Sequence, residues 1–289
     1  MYCGPADVRR VVKPRPLDSS KRDFGCLLVV GGSELYSGAP ALAGMAALRT
    51  GSGLVVIAAP TSVASTIRAY SPNLIVHPLS GNNVSARGLD ELSKLLKSSD
   101  ALVLGPGIGL NHETRRVIPL IVEMAAQNRK PILIDADAIR ALSEKKHLLR
   151  DANAVITPHV GEFRAISGID VPDGWRQRVK LCKKFAMQYS SIVLLKGHNT
   201  VVSDGHRVKV NRTGNPGMAV GGTGDVLSGI IGAFLGQGAD RFFSAAAAAY
   251  VHGLAGDLVC KYKGFHVVAS DLIEALPTVL QPYDRKSRG

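Results

Sequence analysis

The residues from Asn215 to Asp225, Asn-Pro-Gly-Met-Ala-Val-Gly-Gly-Thr-Gly-Asp, run directly into the apolar stretch Val226-Leu227-Ser228-Gly229-Ile230-Ile231. A glycine-rich turn emptying into a helix leaves several backbone N–H groups unpaired at the helix's positive end, and small residues let an anion approach them. Such a turn binds phosphate. Asp225 stands at the mouth of the same helix, where a carboxylate can take a proton from a hydroxyl near the bound phosphate. Taken alone, Asp225 serves equally well as an N-cap and the glycines as a plain turn.

The elements that must position this stretch follow from the hydrophobic pattern. Short Val/Ile/Leu runs closed by glycine or a polar residue occur at 26–33, 54–60, 74–77, 101–109, 131–137 and 154–163. Helical segments are expected between them: one within Tyr36 to Arg49 with Pro40 at the first helical position, Ala86 to Lys97, Glu113 to Asn128, and a basic amphipathic helix over Trp175 to Tyr189. Buried-type strands alternating with helices predict a three-layer α/β/α fold with a mostly parallel central sheet. From Ser191 to Val210 the pattern changes to short runs joined by Asp204-Gly205, which predicts hairpins at one side of that sheet. A long small-residue helix from Arg241 to Cys260 and a capped helix over Ser270 to Pro277 complete the chain, which reads as a single domain over 1–289. The residues before the first strand read as an irregular basic leader.

In an open parallel sheet, ligands bind at the carboxyl ends of the strands. On that rim the sequence places Gly31-Gly32-Ser33, Gly105-Pro106-Gly107-Ile108-Gly109, Asp135-Ala136-Asp137, Thr157-Pro158-His159 with Glu162, Lys196 to Thr200, and the organising stretch. Two glycine loops, several carboxylates and a lysine on one rim suit a phosphorylated nucleotide beside a second polar substrate. Each group has a plainer alternative. Gly105 to Gly109 is spaced G-x-G-x-G, not G-x-G-x-x-G, and fits a tight turn. Asp135 or Asp137 fits a helix cap, Glu162 a first-turn charge, His159 a loop histidine and Lys196 a solvated edge lysine.

The 289 residues are 46% hydrophobic and carry a formal charge of +12. Net positive charge favours an acidic partner. The basic residues are scattered and aromatics make up only 5%, so no nucleic-acid stacking platform is expected. The four cysteines have no metal-ligand spacing and read as free thiols of a reducing compartment. No signal-peptide pattern or apolar run of about 18 residues is found, so the expectation is a cytoplasmic protein without a membrane partner.

In order, these blocks resemble the nucleotide-dependent NAD(P)H-hydrate dehydratases of the ribokinase-like superfamily. The blocks are Gly38 to Ala43 with Ala47 to Val55, Gly105 to Gly109, Asp135 to Ala138, Thr157 to Phe163, Leu195 to Thr200 and Asn215 to Gly229. The Gly-Gly-Thr-Gly-Asp element is shared with sugar and vitamin kinases; the Thr-Pro-His-x-x-Glu-Phe and Asn-Pro-Gly-Met-Ala blocks are more specific. The resemblance implies dehydration of the S form of hydrated NADH or NADPH, with ADP or ATP as phosphate donor and Mg²⁺ as cofactor. It implies Asp225 as the base, with the Gly222, Thr223 and Gly224 amides stabilising the transferred phosphoryl. It places Ala41, Gly107, His159 and Asp225 against the hydrated dinucleotide, and Lys196, Gly197, His198, Asn199, Thr200 and Gly224 at the adenine nucleotide. Glu162 would position Mg²⁺ through water. Relatives often carry a fused epimerase domain; none is read in this chain, so a functional partnership with a separate epimerase is expected, and the small-residue helix around Ala245 leaves a homo-oligomer open. The runner-up is a ribokinase-like kinase of a vitamin or other small alcohol.

Overall fold

The computed structural model describes residues 2–285. Among them, strands form where the Val/Ile/Leu runs stand: β1 Cys26–Val30, β2 Leu54–Pro60, β3 Ile75–Leu79, β4 Ala101–Leu104, β5 Ile132–Ile134, β6 Ala154–Ile156, β7 Ile192–Leu195, β8 Thr200–Ser203 and β9 Val208–Asn211. They make one sheet in the order β3-β2-β1-β4-β5-β6-β7-β8-β9. All pairs from β3 to β7 are parallel, while β7–β8 and β8–β9 are antiparallel. The hairpin edge expected from Asp204-Gly205 is therefore present.

The period-2 alternation of a strand explains why these runs are apolar throughout. In β1, Leu27 and Val29 enter one core while Leu28 and Val30 enter the other, and in β4 the same split separates Ala101 and Val103 from Leu102 and Leu104. The first core is roofed by α1 Pro5–Val11, α2 Gly38–Arg49, α3 Thr61–Ala69, α9 Thr223–Gly236, α10 Arg241–Lys263 and α11 Ala269–Leu280. The second is roofed by α4 Leu89–Lys97, α5 His112–Gln127, α6 Asp137–Ala141, α7 Val160–Ser167 and α8 Trp175–Tyr189. This is the three-layer arrangement.

Helix α9 is the element on which the site depends. Val226, Leu227, Ile230, Ile231 and Phe234 are all buried, each contributing about 1.5–3 kcal/mol by burial. A Cβ at Gly229 would lie 2.1 Å from the Ala43 carbonyl oxygen of α2. Only glycine permits that approach, so α9 is seated firmly against α2 and its N-terminus is fixed in space.

Several boundaries differ from the sequence reading. The leader is not irregular: Pro5 opens α1, and the Asp7 carboxylate bonds the Lys209 ammonium of β9 at 2.6 Å. Pro40 is the third residue of α2, not the first. Ala86 to Lys97 divides into a 3₁₀ turn over Ala86–Gly88 followed by α4, because Gly88 interrupts the helical run. Helix α3 has no counterpart in the sequence reading. Helix α10 is long and apolar enough to cross a membrane by length and composition, contrary to the expectation that no such run exists; 67% of its apolar window is buried inside the fold.

Candidate active site

The sheet order reverses direction between β1 and β4, and a crevice opens at such a switch point outside the carboxyl ends of the strands. α9 packs beneath it. Gly222 (φ +90°) forms the N-cap of α9, and a Cβ there would lie 2.7 Å from Leu42 and 2.9 Å from Ala269. A left-handed turn wedged between α2 and α11 admits glycine alone. The Thr223 hydroxyl lies 3.1 Å from the carbonyls of Met218 and Val220, which folds the preceding loop back over the helix. The N–H groups of Thr223, Gly224 and Asp225 have no intrahelical acceptor, and they face the crevice as an anion site.

Around this head stand three carboxylates and one ammonium. Asp135, at the end of β5, is 2% exposed. Its Oδ1 accepts from Lys196 Nζ at 2.9 Å and its Oδ2 from the buried Ser228 hydroxyl at 2.6 Å. Lys196 ends β7, and its Nζ lies 3.7 Å from Glu162 Oε2. Burial opposes ionisation of Asp135, but the Lys196 charge and the Ser228 hydroxyl prevail and hold its pKa below the ordinary carboxyl value. Burial likewise opposes the charge on Lys196, while Asp135, Glu162 and Asp225 together hold its pKa above the usual lysine value. Asp225 has no such ion pair. Burial first, then the negative charge of Asp135 and Glu162, pushes its carboxyl up to about 7, against the opposing pull of Lys196. A carboxylate with that proton affinity is suited to general-base work near neutrality.

His159 is the N-cap of α7, not a loose loop residue. Its Nδ1 accepts from the N–H groups of Gly161 and Glu162 at 3.0 and 3.2 Å, so Nε2 carries the proton and meets Glu162 Oε1 at 3.3 Å. Glu162 Oε2 in turn accepts from the His159 N–H at 2.8 Å, closing a capping box. The box fixes the orientation of the half-exposed imidazole. Asp135 caps nothing: the residue before α6 is Ala136, with no side-chain cap.

Two clefts flank the head of α9. One, of about 510 Å³, is lined by Lys196, Gly197, His198, Thr200, Thr223 and Gly224 together with Asn215, Met218 and His252. The other, of about 540 Å³, lies between α2 and α11 and is lined by Ala41, Leu42, Met45 and Ile273 with Tyr70 and Arg49. Gly107, in the loop after β4, packs on Tyr36 just outside the second cleft. Of the residues named from the sequence, Lys196, Gly197, His198 and Thr200 thus gather with Thr223 and Gly224, whereas Ala41 lines the second cleft. Asn199 sits in the same β7–β8 turn but does not line the first cleft.

Three residues and one pairing in this region escaped the sequence reading. His252, on α10, bonds the Thr223 carbonyl at 2.9 Å through Nε2; burial lowers its pKa to about 4, so the ring is neutral and Nε2 is the donor. Asp257, one turn further along α10, accepts from the Gly214 N–H and the Asn215 amide, each at 3.0 Å. Ser228 and the pairing of Asp135 were also missed. The available signal was a histidine and an aspartate inside a helix otherwise made of small apolar residues.

Asp257 pins the loop that walls the first cleft. Asp257→Ala strands two donors, and the expected outcome is a loss of about 1–3 kcal/mol of stability for the lost bonds. Urea denaturation of the variant beside the wild type checks this.

Comparison with known proteins fits this geometry. A family model described as NAD(P)H-hydrate dehydratase matches residues 27–278. An ADP-dependent (S)-NAD(P)H-hydrate dehydratase of Cenarchaeum symbiosum is 38% identical over 283 residues, covering 98% of this chain and 97% of that protein. A bifunctional NAD(P)H-hydrate repair enzyme of Pyrobaculum aerophilum is 43% identical over 98% of this chain but only 56% of its own length; the chain spans about half of such bifunctional relatives. Among solved structures, a ribokinase-like superfamily protein of Enterococcus faecalis superposes with a TM-score of 0.85 at 27% identity, covering 98% of this chain and 96% of that one. An ADP/ATP-dependent NAD(P)H-hydrate dehydratase of Bacillus subtilis, co-crystallised with ATP/Mg²⁺, superposes with a TM-score of 0.81 at 26% identity, covering 98% of each chain. With this fold, and with the matched residues running from β1 to α11, the chain belongs to the NAD(P)H-hydrate dehydratase family.

Proposed function

We propose that this chain restores hydrated NADH or NADPH, in the S configuration, to the reduced cofactor at the expense of ADP or ATP. The observation that carries the reading is Asp225, a carboxylate with its pKa near 7 standing within the first turn of an anion-binding helix end. Hydroxide is a poor leaving group. Asp225 removes the proton of the ring hydroxyl as that oxygen forms a bond to the terminal phosphorus of the nucleotide, and the bond to the bridging oxygen breaks. The N–H groups at Thr223 and Gly224 hold the charge that builds on the phosphoryl oxygens. The C–O bond of the phosphoester then breaks with both electrons leaving on phosphate, and a proton lost from the adjacent ring carbon completes the double bond.

The first cleft, lined by Lys196, Gly197, His198, Thr200, Thr223 and Gly224 with Asn199 and Gly222 in the adjoining turns, takes the adenine nucleotide. Ala41, Gly107, His159 and Asp225 face the hydrated dinucleotide. Among the described residues no three metal-binding side chains cluster, and both Glu162 oxygens already engage His159. That donor set would suit Mg²⁺ carried on nucleotide phosphates, with Glu162 placed to bind it through water. Bound there, the ion neutralises phosphate charge. An epimerase activity supplies the S form from its epimer in this reading.

The test is recovery of the reduced-nicotinamide absorbance band from chemically hydrated NADH, compared with ADP, with ATP and without nucleotide. Recovery that requires one nucleotide is expected. A stable phosphoester accumulating from vitamin-type alcohols, with no recovery of the band, would instead identify a small-alcohol kinase.

A further inference from the structure

We propose that Asp135 is a positioning residue whose carboxylate holds the Lys196 ammonium beside the head of α9, where the ammonium meets the phosphoryl group in transfer and not the nucleoside. The inference deepens the nucleotide-dependent reading above and rests on it.

Lys196 leaves the sheet at the end of β7, its backbone N–H bonded to the Pro158 carbonyl at 2.8 Å. From there the side chain reaches across the end of β6 to Asp135 on β5, at 2.9 Å. Its Nζ comes within 3.6 Å of the point where a Cβ on Gly224 would lie, which puts it beside the first turn of α9. Asp135 is anchored on its other oxygen by Ser228, three residues beyond Asp225 along α9. One buried carboxylate therefore fixes both the lysine and the helix end against which the lysine works.

An ammonium carries three N–H donors. Asp135 takes one and leaves the others for oxyanions at the α9 head. Without Asp135 the flexible lysine stem has Glu162 and Asp225 as competing partners, and pairing with Asp225 would occupy the base. Lys196, Thr223 and Gly224 line the same cleft, so the ammonium and the free N–H groups can share one anion, as phosphoryl transfer requires.

Lys196→Gln, Lys196→Arg, Asp135→Asn and the double variant Lys196→Gln/Asp135→Asn test this, with AMP and ADP affinities measured by calorimetry beside turnover. AMP affinity is expected to stay within about threefold of wild type in all four, while the added affinity of ADP over AMP is lost with the lysine charge. Turnover should fall about 10²–10³-fold in Lys196→Gln and at least about tenfold in Asp135→Asn, with partial rescue in Lys196→Arg. The double variant should turn over no more slowly than Lys196→Gln, since Asp135 acts through the lysine. Lys196→Gln strands a buried carboxylate; if it does not fold, the double variant, which carries neither charge, supplies the comparison.

Equal losses of AMP and ADP affinity would put Lys196 on the nucleoside and overturn the proposal. Multiplying losses in the double variant would overturn the positioning role of Asp135. If wild-type protein recovers no reduced nicotinamide, the dehydratase reading fails, and the AMP/ADP comparison still decides where the lysine points.

Discussion

Asp225→Asn will leave a folded protein that binds nucleotide and turns over about 10²–10⁴-fold more slowly. The amide keeps the shape of the side chain and cannot take the hydroxyl proton. In the wild type, the carboxyl's pKa of about 7 places an acidic limb in kcat/KM near neutrality: below it Asp225 is protonated and the rate falls, above it the base is free. The same substitution should raise stability. Asp225 holds its proton more tightly folded than unfolded, so the folded state binds the extra proton between the unfolded value of 3.8 and 7. By linkage, stability then declines as pH rises through that window. Removing the charge relieves that cost, about 2 kcal/mol at neutral pH after allowance for the side chain's partial exposure. An inactive variant with a higher Tm is the combined expectation. An unchanged acidic limb with undiminished turnover would remove Asp225 from the chemistry.

The largest stability loss is expected at the other end of the chain's logic, where β9 enters the functional loop. Lys209 and Asp7 are 9% and 1% exposed and pair at 2.6 Å, joining α1 to β9. Lys209→Met leaves the Asp7 carboxylate buried without its cation, which costs about 3–5 kcal/mol. Replacing both partners, Lys209→Met with Asp7→Leu, removes the stranded charge and should recover most of the loss. Urea denaturation of the three proteins checks this; equal losses in the single and double variants would show that the pair is not the source.

Much of this fold is legible in the sequence because its strands are buried on both faces. A run such as Leu27-Leu28-Val29-Val30 has no polar face to confuse its period, and β2 and α8 fall where the pattern puts them. The rim loops are legible because glycine and charge interrupt those runs. What escapes is long-range pairing. Nothing local to Asp7 indicates Lys209, 202 residues away, so α1 reads as a leader. Asp135 has the composition of a cap, and only the return of β7 two strands away brings it Lys196. His252 and Asp257 sit in α10, whose small residues announce close packing but not what the two polar side chains reach. Gly222 pinched between Leu42 and Ala269 is a contact of three distant segments, which no local pattern announces.

That pinch has a consequence for molecular traffic. The two clefts on either hand share no lining residue, so a guest in one leaves the walls of the other free. On the proposed assignment, spent nucleotide can leave the first cleft without displacing what the second holds.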